Sequence, residues 1–222
     1  MPSRTGPAEG PFVFWASGRG GGEVRTDFFA VFGLERRLAI DVAALQRRFY
    51  ELSRRWHPDF HQAAPADEQA RALEESARVN AAYRALRDPL TRVEYLIRLE
   101  EGRETNEGAV VKAKAPPALL AEMFEIQEAL EEAGGGALDD ATRQSLTDRR
   151  SELRARMAEA EASIAGPLSR AWDVAASGER PAALAALKDA LATRAYLRTV
   201  IDDLGTALGE TEEDRHVAHR RD

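Results

Sequence analysis

The sequence predicts an all-α protein, with an antiparallel helical hairpin in its N-terminal half and a three-helix bundle in its C-terminal half. Alanine, leucine, glutamate and arginine dominate a chain with only 7% aromatic residues, a composition that favours helix over sheet. Apolar residues recur at helical spacing, and no alternating stretch is long enough to indicate a strand. Connections between the last predicted helices are short, which is typical of antiparallel neighbours in a bundle.

The overall composition limits the classes of function. At 222 residues the chain is long enough for one large domain or two small ones. A formal net charge of -7 argues against nucleic acid as the main partner, and the absence of cysteine excludes disulfides and thiolate ligands within this chain. No apolar run approaches the ~20 residues of a membrane-spanning helix, and residues 1–25 lack the pattern of a signal peptide. We therefore expect a cytoplasmic protein that binds neither membrane nor nucleic acid.

Changes in composition divide the chain into five segments. The first is rich in glycine and proline, and a polar stretch after residue 100 contains Gly102 and Gly108. We expect a flexible leader at 1–25, a helical domain at 26–100, a linker at 101–116, a helical bundle at 117–208 and a charged tail at 209–222.

Capping residues, apolar stripes and breaking residues place the individual helices. In the first domain we expect helices from Phe28 to Phe32, from Val42 to about Arg55, from about Pro65 to Arg87 and from Leu90 to Leu99. In the second we expect helices from Pro116 to about Ala133, from about Asp139 to Ala165, from Pro167 to Ala176 and from Pro181 to Leu208.

The second predicted helix is strongly basic on one side. Its apolar stripe consists of Leu45, Phe49 and Leu52. Largely off that stripe lie four arginines, Arg47, Arg48, Arg54 and Arg55. Only Glu51 opposes them, so four positive charges minus one negative give +3 on one short helix of an acidic protein. The helix is expected to end near Trp56, because the residue before Pro58 is pushed out of the helical region.

The loop after this helix, within the segment RRWHPDFHQ, holds His57, Asp59 and His61 at alternating positions. Such a spacing suits metal ligands on an extended strand, and a metal-dependent hydrolase that uses these three residues is one interpretation. However, Pro58 interrupts the segment, and the predicted folded portion has no further histidine to complete a site. No base or orienting group is recognisable around Ser53, so we predict no catalytic residue, no metal and no cofactor.

The order of these elements resembles the J-domain of DnaJ-type co-chaperones, in which a His-Pro-Asp turn connects a basic helix to its antiparallel partner. Here the HPD turn is His57-Pro58-Asp59. Four segments more specifically resemble HscB, the J-type co-chaperone of iron–sulfur cluster biogenesis: DFFAVFGL from Asp27, WHPDF from Trp56, VNAAYRAL from Val79 and DPLTRVEYL from Asp88. The resemblance extends from about residue 27 to residue 208 and is most specific in the J-domain region.

The resemblance implies a co-chaperone that is not itself an enzyme. The HPD turn and the basic helix would engage an HscA/DnaK-type chaperone and stimulate its ATPase, through His57, Pro58, Asp59, Arg47, Arg48, Arg54 and Arg55. Guanidinium groups on one helix face can pair with carboxylates on a partner and steer the encounter. The resemblance assigns no role to His61.

The helix predicted from Pro116 combines an apolar stripe with an acidic flank. At ~100° per residue, the stripe consists of Leu119, Met123, Ile126 and Leu130. Leu120 and Phe124 fall on the flank, among Glu128, Glu131 and Glu132. From the residues alone, this flank either packs against another helix of the bundle or binds a partner.

The resemblance to HscB favours a partner, because in that family this helix docks the IscU-type scaffold protein. Carried over by position, the scaffold-binding residues are Leu120, Phe124, Glu125, Glu128 and Glu132, which we call the acidic face, together with Tyr196. The chain departs from the better-known members at Ala121, where they place a methionine. A J-protein with another client, whose bundle is a general interaction module, is the alternative.

Overall fold

The computed structural model describes residues 27–102, residues 120, 121, 124, 126 and 128, and residues 138–209. The regular structure in these parts is helical, which confirms the predicted all-α class. Seven α-helices are described: α1 Phe28–Val31, α2 Val42–Arg55, α3 Ala66–Arg87, α4 Pro89–Glu100, α5 Asp140–Ser163, α6 Ser169–Val174 and α7 Arg180–Ala207. The predicted leader, the charged tail beyond residue 209 and most of the predicted linker lie outside the described residues.

Four aspartates define the starts of helices α1, α2, α4 and α5. Each accepts a hydrogen bond from a backbone N–H in the first turn, where no carbonyl is available within the helix. They are Asp27, Asp41, Asp88 and Asp139. The backbone hydrogen bond from Thr142 also holds the pKa of Asp139 below its ordinary value. The observed bounds of α2 are those predicted from the sequence, because the Asp41 cap and Pro58 each act within a few residues of a helix end.

Helices α2 and α3 form the predicted antiparallel hairpin. Near the middle of α2, the ring of Phe49 stacks on Tyr83 with centroids 4.0 Å apart. At the end of α2, the Trp56 ring faces the guanidinium of Arg71, near the start of α3, at 5.7 Å. A 3₁₀ turn, Pro58–His61, connects the two helices.

A hydrophobic core, the proximal core, joins the N-terminal helices to the C-terminal ones. Its buried residues are Phe29, Phe32, Leu38, Leu45, Val79, Ala82, Leu86, Val93, Tyr95, Leu96, Ile97, Ile164, Trp172, Leu187 and Leu191. Tyr95 is fully buried, and its ring packs against Phe28 at 4.7 Å and Phe29 at 5.8 Å. Burial raises the pKa of the Tyr95 hydroxyl to about 12. The two predicted domains therefore pack on each other through one continuous apolar region.

A second cluster, the distal core, lies between α5, α7 and the helical residues around position 126. It consists of Ile126, Leu146, Leu153, Leu197, Val200, Ile201 and Leu204, with Tyr196 and Met157 packed on its edge. Ile126 is 8% exposed, as its place on the predicted apolar stripe requires.

Polar contacts fix the loop between α1 and α2 against the C-terminal helices. The carboxylate of Asp173 in α6 accepts hydrogen bonds from the backbone N–H groups of Leu38, at 2.7 Å, and Ala39, at 2.8 Å. From the other side, the buried guanidinium of Arg92 donates to the carbonyl groups of Leu38 and Leu86. Burial lowers the pKa of Arg92 from its ordinary value. Each charge thus has partners that offset its desolvation.

The predicted helix break between Ala165 and Pro167 is wrong. Helix α5 continues into α6 through a π-helical turn, Ile164–Leu168, that contains Gly166 and Pro167. Proline has no N–H to donate, but the wider turn accommodates its ring within a continuous helix. The Ser169 hydroxyl donates to the Ile164 carbonyl at 2.6 Å and so supplies a side-chain donor in this segment.

Candidate functional site

The HPD turn presents its side chains to solvent immediately after α2. Pro58 occupies the first position of the 3₁₀ turn, and the His57 backbone before it is extended. The side chains of His57 and Asp59 are 53% and 70% exposed. The backbone N–H of Asp59 donates to His57 Nδ1 at 3.3 Å, which leaves Nε2 as the protonated nitrogen of the neutral ring.

The four arginines of α2 are exposed but differ in their contacts. Arg48 pairs with Glu51 at 3.2 Å, and the guanidinium of Arg55 lies 5.1 Å from the Trp56 ring centroid. Arg47 and Arg54 have no ion-pair partner within the described part of the chain. These two are seven residues apart and therefore share a helix face. They are the most available positive charges of the basic helix.

The ring nitrogens of His61 contact groups other than His57 and Asp59. Its Nε2 lies 3.0 Å from the carbonyl oxygen of Arg55, and its Nδ1 lies 3.4 Å from a carboxylate oxygen of Glu68. Among the described residues, no group of three or more potential metal-ligand side chains comes together. The three alternating residues of the loop therefore do not converge, and the hydrolase interpretation has no support in this geometry.

The described residues of the acidic face are exposed. Leu120 is 42% exposed, Phe124 is 68% exposed, and Glu128 and Ala121 also face solvent. Glu125 and Glu132 lie outside the described residues. Tyr196 is half-buried at the edge of the distal core. The flank thus does not pack inside the bundle at these positions, while its role in binding stays a prediction.

Comparisons with known proteins agree with the helical organisation. A family model described as the HSCB C-terminal oligomerisation domain matches residues 115–204. The co-chaperone protein HscB homolog of Azoarcus sp. (strain BH72) is 33% identical over an alignment of 161 residues, and the alignment covers 71% of this chain and 85% of the relative. The chain belongs to the HscB family of co-chaperones.

Two solved HscB structures share the fold. Chaperone HscB from Vibrio cholerae aligns with a TM-score of 0.52 and 23% identity, covering 82% of this chain and 96% of that one. Human co-chaperone protein HscB aligns with a TM-score of 0.56 and 24% identity, covering 86% and 93%. Among the helices that the structure describes, none has the length and apolarity needed to cross a membrane.

In this HscB-family protein, two exposed aromatic residues lie near the HPD turn that the sequence pattern did not predict as site residues. Tyr50 is 61% exposed and lies in α2 between Arg47 and Arg54, three and four residues from them. Phe60 is 69% exposed and lies edge-on to His57 at 5.9 Å. A signal for Tyr50 was present, since it falls off the apolar stripe on the arginine side. Exposed aromatic residues beside exposed arginines are typical of binding surfaces.

Proposed function

We propose that this protein stimulates the ATPase of an HscA/DnaK-type chaperone and delivers an IscU-type scaffold to it for iron–sulfur cluster assembly and transfer. The observation that supports this most is the exposed HPD turn at the end of a helix in which Arg47 and Arg54 have no ion-pair partner among the described residues. Membership of the HscB family gives the turn a co-chaperone context. The protein performs no bond chemistry in this scheme, because the chaperone hydrolyses the ATP.

The HPD turn and the arginine side of α2 form the proposed chaperone surface. The positive charges of α2 attract acidic groups of the partner and raise the association rate. They are carried by Arg47, Arg48, Arg54 and Arg55. Pro58 restricts the backbone of the turn, so less conformational entropy is lost on docking. His57 and Asp59 then provide directional hydrogen bonds at a position that is already fixed.

The acidic face forms the proposed scaffold surface, with Tyr196 beside it. Leu120 and Phe124 are the exposed apolar groups, and a large aromatic side chain in such a place is a typical hot spot. The glutamates around them favour a basic partner and select its orientation. One chain holds both surfaces, so a scaffold bound to the acidic face is kept close to a chaperone bound to the HPD turn. The contact between scaffold and chaperone then becomes effectively intramolecular, and each of the two interfaces can be weak.

The proposal is tested first by single-turnover ATPase measurements with the purified chaperone. We expect His57→Gln and Asp59→Asn to reduce stimulation to the basal rate, while Asp67→Asn, an exposed control at the start of α3, stimulates normally. We also expect Arg54→Ala to weaken the response more than Arg48→Ala, since only Arg48 has an ion-pair partner on its own helix. Full stimulation by His57→Gln contradicts the assignment of the HPD turn.

The scaffold half is tested by binding titrations with a purified IscU-type scaffold. We expect Leu120→Ala combined with Phe124→Ala to weaken binding by at least about tenfold, the loss of one hot spot. Leu73→Ala is the matched control, because Leu73 is 62% exposed on α3, outside both surfaces. Binding of the double variant at wild-type strength contradicts the scaffold assignment and favours a co-chaperone with another client.

A further inference from the structure

The two histidines of the turn region have opposite environments. The side chain of His57 is 53% exposed, whereas that of His61, four residues later, is 18% exposed. The imidazole of His61 stacks on the Trp56 ring, with centroids 6.1 Å apart and an interplanar angle of 19°. The ring of His61 is therefore packed against Trp56 and largely shielded from solvent, whereas that of His57 is exposed.

The Nε2 of His61 satisfies a carbonyl group at the end of α2. The last carbonyls of a helix have no N–H partner within it. In a continuing helix, the Arg55 carbonyl would accept from the N–H of Asp59, but that N–H donates to His57 instead. His61 Nε2 replaces it at 3.0 Å, and because a carbonyl only accepts, Nε2 must be the protonated nitrogen.

The other side of the His61 ring reaches α3. Its Nδ1 lies 3.4 Å from a carboxylate oxygen of Glu68 in the first turn of that helix, and the two groups form an ion pair only when Nδ1 carries a proton as well as Nε2. The Trp56 ring on which it stacks packs against the proximal core and faces Arg71 of α3. One imidazole thus contacts the end of α2, the start of α3 and the aromatic ring at their junction.

We propose that His61 is a positioning residue that holds the HPD turn in its docking geometry by joining the end of α2 to the start of α3. The consequence for chaperone stimulation rests on the proposed function, whereas the positioning itself does not. Within the turn, the backbone provides only short-range bonds, such as Phe60 N–H to the His57 carbonyl at 3.0 Å and Ala64 N–H to the His61 carbonyl at 3.0 Å. The His61 side chain adds a longer-range contact, beside the contact of Trp56 with Arg71 and the hydrogen bonds that the Gln69 side chain of α3 donates to the carbonyls of Gln62 and Ala64.

Amide hydrogen exchange by NMR on the full chain tests the positioning directly. His61→Leu keeps an apolar side chain but removes the donor, and His61→Gln retains an N–H that can reach the Arg55 carbonyl. We expect His61→Leu to increase exchange at Phe60 and Ala64 on the order of fivefold, the effect of one lost hydrogen bond. Amides of α4 and α7 should exchange at wild-type rates, and His61→Gln should restore the turn amides.

Three results of this measurement overturn the inference. They are unchanged exchange at the turn in His61→Leu, an equal increase at the turn and in α4 and α7, and a failure of His61→Gln to restore the turn. The second result means that His61 acts on global stability, and the third means that the N–H to the Arg55 carbonyl is not the cause.

The chaperone ATPase gives a second measurement that separates positioning from the proposed function. We expect His61→Leu to raise the protein concentration needed for half-maximal stimulation about fivefold, the effect of one lost hydrogen bond. The maximal stimulation should be retained. His57→Gln should instead abolish stimulation. Normal stimulation by His61→Leu overturns the inference. If the wild-type protein gives no stimulation, the proposed function fails, and the exchange rates alone decide the role of His61.

Discussion

The proximal and distal cores differ in composition and in what they connect. The distal core is built from leucine, isoleucine and valine side chains and lies within the C-terminal bundle. The proximal core contains Phe29, Tyr95 and Trp172, and its residues come from both halves of the chain. The distal core thus maintains the bundle, whereas the proximal core attaches the bundle to the helices next to the HPD turn.

Truncation of the largest proximal side chain should test this difference most strongly. Trp172 is 1% exposed, and we expect Trp172→Ala to lower the free energy of unfolding by about 3–5 kcal/mol through lost burial and a cavity. Because the core is shared, hydrogen exchange measured by mass spectrometry should rise in α4 as well as in α6. Val174→Ala is the control, since Val174 is 79% exposed on the same helix. Unchanged exchange in α4 would show that the N-terminal helices do not depend on Trp172.

Truncation in the distal core should remain local. Leu153 is 1% exposed, and Leu153→Ala is expected to cost about 2–4 kcal/mol by the same mechanism. Hydrogen exchange should rise along α5 and the C-terminal half of α7, and the rates in α2 and α3 should stay at their wild-type values. An equal rise in α2 would mean that the two cores unfold as one cooperative unit.

The proximal core should also respond to alkaline pH. The pKa of Tyr95 is raised to about 12 from 10.0, so the folded state favours the neutral hydroxyl. Its contribution to stability is therefore complete below pH 10 and is lost as the pH rises from 10 to 12, by roughly 2–3 kcal/mol in total. Denaturant titrations of wild type and Tyr95→Phe across this range measure the difference. Tyr50→Phe, which removes an exposed hydroxyl, is the control, and equal slopes for wild type and Tyr95→Phe contradict the prediction.

The smallest expected effect concerns the polar contact beside the proximal core. Asp173→Ala removes the acceptor for the N–H groups of Leu38 and Ala39, and we expect a loss of about 1–2 kcal/mol. The exchange of those two amides should rise before that of α6. Asp189→Ala, at an exposed position of α7, should have no such effect. If the Leu38 amide still exchanges slowly in Asp173→Ala, the hydrogen bond from Arg92 is sufficient to hold this loop in place.

The features that the sequence predicted are those with local causes. Helix α2 begins at a cap from Asp41 and ends before Pro58, and both effects act within a few residues. The contacts of Asp173 with Leu38 and of Lys188 with Glu101 link distant parts of the chain, and no pattern of spacing indicates them. The π-helical turn was missed because proline usually ends a helix.

In the candidate site, too, the sequence predicted features with local causes and not contacts made by folding. The HPD turn and the arginines were predicted from a motif and a helical stripe, which are visible in one dimension. The contacts of His61 were not predicted, because the spacing of residues shows neither the bend that brings its ring to the Arg55 carbonyl nor the packing that brings it to Glu68 of α3. Tyr50 was omitted although the helical periodicity placed it on the arginine side.

The contact between Asp173 and the loop before α2 has a consequence for hybrid proteins made within this family. The Asp173 carboxylate accepts a hydrogen bond from Leu38, 135 positions earlier in the chain, and Trp172 next to it belongs to the proximal core, which also contains residues of α4. A hybrid that joins residues 27–102 to the second half of another relative inherits a foreign side chain at both places. Compatible parents are therefore those that supply a carboxylate and a large aromatic side chain at these two positions, whatever surface their second half offers to a client.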